Sequence, residues 1–292
     1  MKHAFVLAAA LAAVSIATTA AQAPPGRQTY APPKTAAGQP DLQGIWQVLN
    51  NAAEWNLEPH AASWGVPAGL GIIVDPADGM IPYQPAALAT RAANFKNRET
   101  ADPLAKCYKP GVPRLTYLPF PLQIIQSPQQ VTIFYEYVHN YRNIHLNRKT
   151  HLDGIDFWNG DSIGHWEGNT LVVDVANFNG QTWLDRAGNF HSEALHLTER
   201  FTLMTPDVIQ YEVTIEDPKV FTRPWRIAMP LYRRMEPNFQ LLEYRCTEFA
   251  EEFLYGHVRK EQLVKRWEGE TMIVDITRKV PPGDKLYEWY RR

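Results

Sequence analysis

The chain has 292 residues, of which 45% are hydrophobic and 21% are charged, and these proportions exclude a largely disordered protein. The formal net charge is −2 and no long basic run occurs, so the charge pattern of a nucleic-acid-binding protein is missing. Aromatic residues make up 12% of the chain, which favours β-sheets and ligand pockets over a helical bundle.

The amino terminus has the pattern of a secretory signal peptide. A short basic start at residues 1–3 is followed by an Ala-rich apolar run from residue 4 to about residue 17. The pattern Ala21-Gln22-Ala23 predicts cleavage after Ala23, which makes 1–23 the signal peptide. A span of the bilayer takes about 20 apolar residues, so we expect no membrane span and a periplasmic or secreted protein.

The chain after the signal peptide divides into a linker and one domain. Residues 24–40 are rich in Pro and Ala and are predicted to form a flexible linker. A single β-rich domain is predicted over 41–292. Near its start, Gly44-Ile45-Trp46 resembles the Gly-x-Trp opening of the lipocalins. This resemblance implies a β-barrel of the lipocalin type.

One helix is predicted in the first half of the chain. The segment Gln84–Arg98 has a helix-forming composition, and Pro85 stands at its start, where a missing amide hydrogen costs nothing. Six prolines then interrupt the chain between residues 103 and 130. We expect this Pro-rich segment to wrap over a core that is built by later residues.

From residue 130 onward, apolar and polar residues alternate as in β-strands. A first hairpin is predicted to turn at residues 139–140, which places Tyr135 opposite Ile144 and Tyr137 opposite Arg142. A second hairpin is predicted over 164–175.

The second hairpin turns at Gly168-Asn169, and further strands are predicted over 193–203, 208–216, 220–231 and 241–249. Strands joined by short turns favour a mainly β fold, an antiparallel barrel or sandwich of the lipocalin or calycin type, with one helix and Pro-rich wrapping segments.

One sequence pattern occurs twice. Residues 166–175 read WEGNTLVVDV, and residues 267–276 read WEGETMIVDI. A duplicated sheet would extend the similarity beyond the hairpin, and it does not extend further. We interpret the repeat as one favourable hairpin turn that is used twice.

Several longer motifs carry a resemblance to a known family. They are DSIGHWEGNTLVV at 161–173, TWLD at 182–185, HSEAL at 191–195 and TERF at 198–201, together with Cys107 and the PFP stretch at 119–121. With these motifs the chain resembles a family of mostly uncharacterised secreted proteins from soil Gram-negative bacteria. The resemblance implies export and a β-rich fold, and it implies no particular activity.

The chain has two cysteines, Cys107 and Cys246. In an exported protein, two thiols in an oxidising compartment favour a disulfide between them. The alternative is two separate buried thiols that pack as small hydrophobic residues.

The alternation within 193–203 indicates where buried carboxylates lie. Its odd positions are the apolar ones, so Glu193 and Glu199 are expected on the inward face. Arg142 also falls on the apolar side of its hairpin. Buried carboxylates are costly unless they are paired or used. Arg142 could therefore form a structural pair with one of them, or its guanidinium could hold an anion within a functional pocket.

These residues, with two neighbours in the sequence, form the predicted catalytic site. His191 shares the parity of the strand and is the candidate general base, with Glu193 or Asp185 to orient its ring. Arg142 or Glu199 would bind or protonate the substrate. Each of these residues also has a plainer structural interpretation, such as a loop or turn residue.

Two aromatic residues are candidate substrate contacts. Tyr135 lies on the inward side of its predicted strand, and Trp183 lies in the loop before 193–203. Both could line a pocket for a partly apolar ligand, and packing alone is the alternative.

The function predicted from these residues is that of an exported enzyme. It would act on a small, partly apolar organic molecule by general acid–base chemistry, as a hydrolase, lyase or isomerase. The alternatives are a non-catalytic lipocalin-like binding protein, a metal-dependent enzyme with a His/Glu site around His191 and Glu193, and an envelope structural protein. The chain has no phosphate-binding loop, nucleophile elbow or CxxC motif, so we expect no cofactor. The expected partner is a small molecule, and the oligomeric state is left open.

Overall fold

The computed structural model describes residues 30–63 and 66–250, together with two short strands at 265–268 and 271–274. The predicted signal peptide lies outside the described residues. The first ten strands are β1 (Gly44–Gln47), β2 (Ile73–Asp75), β3 (Leu122–Ser127), β4 (Gln130–Tyr135), β5 (Asn140–His145), β6 (Asp161–Glu167), β7 (Thr170–Ala176), β8 (His196–Thr205), β9 (Val208–Glu216) and β10 (Trp225–Arg233). Three helices accompany them, α1 (Ala52–Trp55), α2 (Leu88–Ala101) and α3 (Arg114–Tyr117).

Nine of these strands form a closed barrel, which confirms the predicted mainly β fold. The order is β1-β3-β4-β5-β6-β7-β8-β9-β10, and β10 pairs back onto β1 through Arg233 opposite Trp46. The short strand β2 pairs with the other end of the same β10 edge. The barrel is not wholly antiparallel as predicted, because β5 and β6 run parallel. The segment 146–160 returns the chain to the same end of the barrel, as a parallel connection requires.

The central strands follow the predicted alternation. In β9 every second residue is buried, at Ile209, Tyr211, Val213 and Ile215, and the strand has the predicted bounds of 208–216. These side chains point into the barrel, where they form a continuous apolar core with the inward residues of the other strands. The alternating polar residues are left on the outer face.

The first predicted hairpin has the right faces but the wrong register. Tyr135 pairs with Asn140 and not with Ile144, because the turn is centred two residues earlier than predicted, within residues 136–139. Residues 137–139 form a short 3-10 turn in which Val138 and His139 adopt positive φ angles of 48°. The register moves by an even number of residues, so Arg142 keeps the predicted inward side.

The second predicted hairpin is confirmed, with Glu167 opposite Thr170 across the turn. Gly168 takes a φ of +59° there, a conformation that a side chain disfavours. The related sequence near the carboxyl terminus forms the hairpin of β11 (Lys265–Glu268) and β12 (Thr271–Val274), with the equivalent pairing of Glu268 with Thr271.

The predictions for the irregular segments were less accurate. The predicted helix is present as a 3-10 turn at Pro85–Ala87 that continues into α2. The Pro-rich segment contains α3 and the barrel strand β3, which were not predicted. The predicted strand over 241–249 is absent, and this segment has no regular secondary structure. Of the predicted linker, residues 30–40 are described, and they form a hydrogen-bonded turn that is closed by a bridge between Lys34 and Pro40.

Candidate functional site

The predicted pair of Arg142 with a carboxylate is present in the barrel interior. Its guanidinium donates to Glu199 through Nη1–Oε2 at 2.7 Å and Nη2–Oε1 at 3.0 Å. Tyr211 donates a third hydrogen bond to Glu199, at 2.5 Å. Burial alone would lower the pKa of Arg142, but the Glu199 carboxylate outweighs it and holds the pKa above its ordinary value. This arrangement is a fully buried, charge-neutral pair between β5 and β8.

Tyr135, a predicted substrate contact, lies beside this pair and is also buried. Burial raises the pKa of its phenol, and the Arg142 charge lowers it in part. Tyr135 is therefore a residue of the barrel interior, and its predicted contact with a substrate remains untested.

His191, the candidate base, is buried in the loop before β8. Its Nδ1 lies 2.8 Å from the Ser192 carbonyl oxygen, and its Nε2 lies 2.6 Å from Thr182 Oγ1. A carbonyl can only accept, so Nδ1 carries the proton and Nε2 accepts from the Thr182 hydroxyl. Burial lowers the pKa of His191, which favours the neutral form of the ring. Both nitrogens are thus engaged within the protein.

Neither carboxylate that was predicted to orient this histidine does so. Glu193 is exposed and pairs with Lys219 on the surface, so its predicted inward orientation is wrong. The physical reason is a turn at residues 192–195, in which the Ser192 hydroxyl accepts from the Ala194 amide and the strand has not yet begun. The parity of β8 therefore does not extend back to Glu193.

Asp185 holds a different loop together. Its carboxylate accepts from the amides of Leu57, Ala187 and Asn189 and from the Asn189 side chain, at 2.6–3.2 Å. Burial raises the pKa of Asp185 to about 6, although these donors act in the opposite direction. All of its contacts are structural, and none is to His191. Trp183, in the same loop, is partly buried and forms a bridge to Phe190.

The predicted disulfide between Cys107 and Cys246 is confirmed, with a Cα–Cα distance of 5.6 Å. It joins the segment after α2 to the irregular segment that follows β10. Tyr244, two residues before Cys246, packs against Phe120 with ring centroids 4.7 Å apart and stacks on Tyr137 at 5.1 Å. The disulfide and this aromatic cluster hold residues 244–250 against the rest of the protein.

A cleft of about 370 Å³ opens beside this cluster. Its volume is within the range of about 300–1,000 Å³ that is typical of ligand sites. The lining comes from α1, the end of α2, the segment before β3, the loop before β8 and residues 244–250. Among the lining residues are Glu54, Trp55, Arg98, Glu99, Asp102, Leu104, Pro119, Phe120, Tyr137, Arg186, Tyr244, Arg245 and Phe249. The cleft therefore combines an aromatic wall with charged groups.

Most charges around the cleft have partners within the protein. Arg186 Nε donates to Glu54 Oε1 at 3.0 Å, and its guanidinium lies 4.6 Å from the Trp55 ring centroid. Asp102 accepts two hydrogen bonds of 2.8 Å from the buried Arg114. These pairs fix the polar part of the lining in place.

None of the predicted catalytic residues lines this cleft. His191, Asp185 and Glu199 are buried elsewhere, and Glu193 is on the surface. Most of the residues that line the cleft were missed because they come from short irregular segments with no repeating pattern. The one sequence signal that pointed to this region was the pair of cysteines, since Cys246 lines the cleft.

Among the described residues, no group of three His, Cys, Asp or Glu side chains is arranged to hold a metal ion. Within the same part of the chain, no helix is both long enough and apolar enough to cross a membrane.

The chain matches no model of a known protein family and no curated protein. The function of the cleft is therefore inferred from its own geometry.

Proposed function

We propose that this protein binds a small, partly apolar organic molecule in the cleft. The observation that carries the proposal is a concave site of about 370 Å³ that is lined both by aromatic side chains and by fixed charged groups. Small-molecule sites combine these features, because apolar contacts supply affinity and a few placed polar groups supply orientation.

The geometry favours binding without acid–base catalysis at the predicted residues. A general base must reach the proton that it removes, at about 2.6–3.2 Å or through one water. Both nitrogens of His191 already have partners within the protein, and the residue is 3% exposed. The hypothesis of an acid–base enzyme stays a prediction, and so does the alternative of a metal-dependent enzyme.

We further propose that the protein acts outside the cytoplasm. The amino-terminal pattern supports export. The disulfide supports it independently, because such bonds persist in oxidising compartments such as the periplasm. The resemblance to secreted proteins of soil bacteria remains a prediction that agrees with both.

The proposed binding can be tested with a neutral apolar fluorophore, N-phenyl-1-naphthylamine, and a variant that fills the cleft. Ala105 lines the cleft, so Ala105→Trp should occupy it without removing a wall residue. Ala92 lies on the exposed side of α2, and Ala92→Trp is the matched control. We expect fluorescence enhancement with the wild type and with Ala92→Trp, and a strong reduction with Ala105→Trp.

Thermal unfolding of all three proteins would show that each is folded. Absence of enhancement by the wild type, or unchanged enhancement by Ala105→Trp, would contradict binding in the cleft.

A further inference from the structure

Three arginines line the cleft, and two of them are engaged within the protein. Arg186 pairs with Glu54. Arg98 lies 4.3 Å above the Phe95 ring, donates to the Phe95 carbonyl at 2.8 Å and lies 3.8 Å from Glu99. The charges of these two guanidinium groups are therefore balanced by neighbouring carboxylates.

Arg245 differs from the other two. Its side chain is exposed, and it makes no hydrogen bond, ion pair or ring contact with any described residue. Its backbone is nevertheless held in place, because Cys246 forms the disulfide and Tyr244 packs against Phe120 and Tyr137. A fixed backbone thus presents, at the edge of an aromatic wall, a guanidinium that has no partner among residues 30–63 and 66–250.

The acidic groups of the cleft do not offer a matching site for a cation. Glu54 is bound by Arg186, and Asp102 is bound through both oxygens by Arg114. Glu99 lies beside Arg98. An ammonium ligand would therefore lie beside carboxylates that are already neutralised, and Arg245 would repel it. An anion would instead be attracted by Arg245.

We propose that the ligand of the cleft is an amphipathic organic acid. Its carboxylate would be bound by Arg245, and its apolar body would lie against Phe120, Tyr244 and Phe249. A guanidinium presents parallel N–H donors that match the two oxygens of a carboxylate, which makes this pairing both strong and directional. The inference rests on the proposed function and adds the chemical class of the ligand.

The test compares three ligands that share one ring system: 1-naphthaleneacetate, its neutral amide 1-naphthaleneacetamide, and the cation 1-naphthylmethylamine. Isothermal titration at pH 7 measures each affinity for the wild type and for Arg245→Gln. We expect the acid to bind the wild type about tenfold or more tightly than the amide, because charge-assisted hydrogen bonds exceed neutral ones. Arg245→Gln should remove this preference, because the acid should lose far more affinity than the amide.

Arg200→Gln is the matched control. Arg200 lies on the outer face of β8, where it pairs with Glu167, so this variant removes the same charge away from the cleft and should keep the preference. Equal affinities for acid and amide, a preference for the amine, or a preference for the acid that survives in Arg245→Gln would overturn the inference. If N-phenyl-1-naphthylamine still binds in those cases, the proposed function stands; if no probe binds, both fail.

Discussion

The same ion pair, arginine with glutamate, occurs in two very different regions of this protein. In the barrel interior, the side chains of Arg142 and Glu199 are 3% and 0% exposed. At the cleft, Arg186 and Glu54 are 20% and 6% exposed. The interior pair joins two regular strands, whereas the cleft pair joins a short helix to a loop. Closely similar ion pairs therefore stabilise the barrel in one region and fix the shape of a site in the other.

The physical difference between the two regions is the cost of removing charge from water. A fully buried pair has lost its hydration on both sides, so each partner depends on the other. A pair at an open cleft retains part of its hydration and can tolerate a change in its surroundings. The barrel is therefore expected to be intolerant of charge changes, and the cleft less so.

The largest effect is expected from Glu199→Gln. The variant leaves Arg142 buried without its counter-charge, which should lower the free energy of unfolding by about 3–5 kcal/mol. Glu54→Gln should cost about 1–2 kcal/mol, because Arg186 stays closer to water. Urea unfolding followed by circular dichroism measures both losses. Equal losses of unfolding free energy in the two variants would contradict the expected difference between the interior pair and the cleft pair.

The double variant Arg142→Met with Glu199→Leu is the control for the interior pair. It removes both charges and replaces them with apolar side chains, so it should recover most of the stability that Glu199→Gln loses.

Removal of the disulfide should affect the cleft but leave the strands of the barrel in place. In the double variant Cys107→Ser with Cys246→Ser, the free energy of unfolding should fall by about 2–5 kcal/mol, because the unfolded chain is no longer cross-linked. The barrel strands should keep their circular dichroism, since neither cysteine lies in a strand. Binding of N-phenyl-1-naphthylamine should be lost, because residues 244–250 are no longer held at the cleft. Unchanged probe binding would show that the aromatic contacts of Tyr244 suffice without the disulfide.

The smallest effect is expected from the buried histidine. Burial lowers the pKa of His191 in the folded state, whereas an unfolded histidine takes up a proton near pH 6.5. The stability that comes from His191 is therefore present above about pH 6.5 and is lost as the pH falls below it. His191→Gln cannot titrate, so its free energy of unfolding should fall less than that of the wild type between pH 7.5 and pH 5.

The measurement must compare the variant with the wild type, because Asp185 acts in the opposite direction. Burial raises the pKa of Asp185 to about 6, so the folded state takes up this proton before the unfolded state does and gains stability as the pH falls. Asp185 is common to both proteins and cancels in the difference. A larger loss in His191→Gln than in the wild type would reverse the assigned sign.

Much of the barrel could be predicted from local patterns. β9 has the predicted bounds because its apolar residues alternate without interruption, and the turn at Gly168 follows from a residue that tolerates positive φ. Arg142 was placed on the correct side, although its hairpin register was wrong, because an even shift keeps every side chain on its face. Glu193 was misplaced because the alternation was extended across a turn that precedes β8.

The cleft could not be predicted in this way. Trp55, Phe120, Arg186 and Arg245 stand far apart in the chain and belong to segments with no repeating pattern. Their proximity depends on barrel closure and on the disulfide between Cys107 and Cys246.

Local composition and periodicity were thus sufficient for the β-rich class, most of the barrel faces and the cysteine pair, because backbone geometry repeats every two residues in a strand. The cleft, the partners of His191 and Asp185, and the exposed position of Arg245 at the cleft arise only from tertiary packing. Contacts between distant irregular segments depend on the whole chain, and no short-range pattern encodes them.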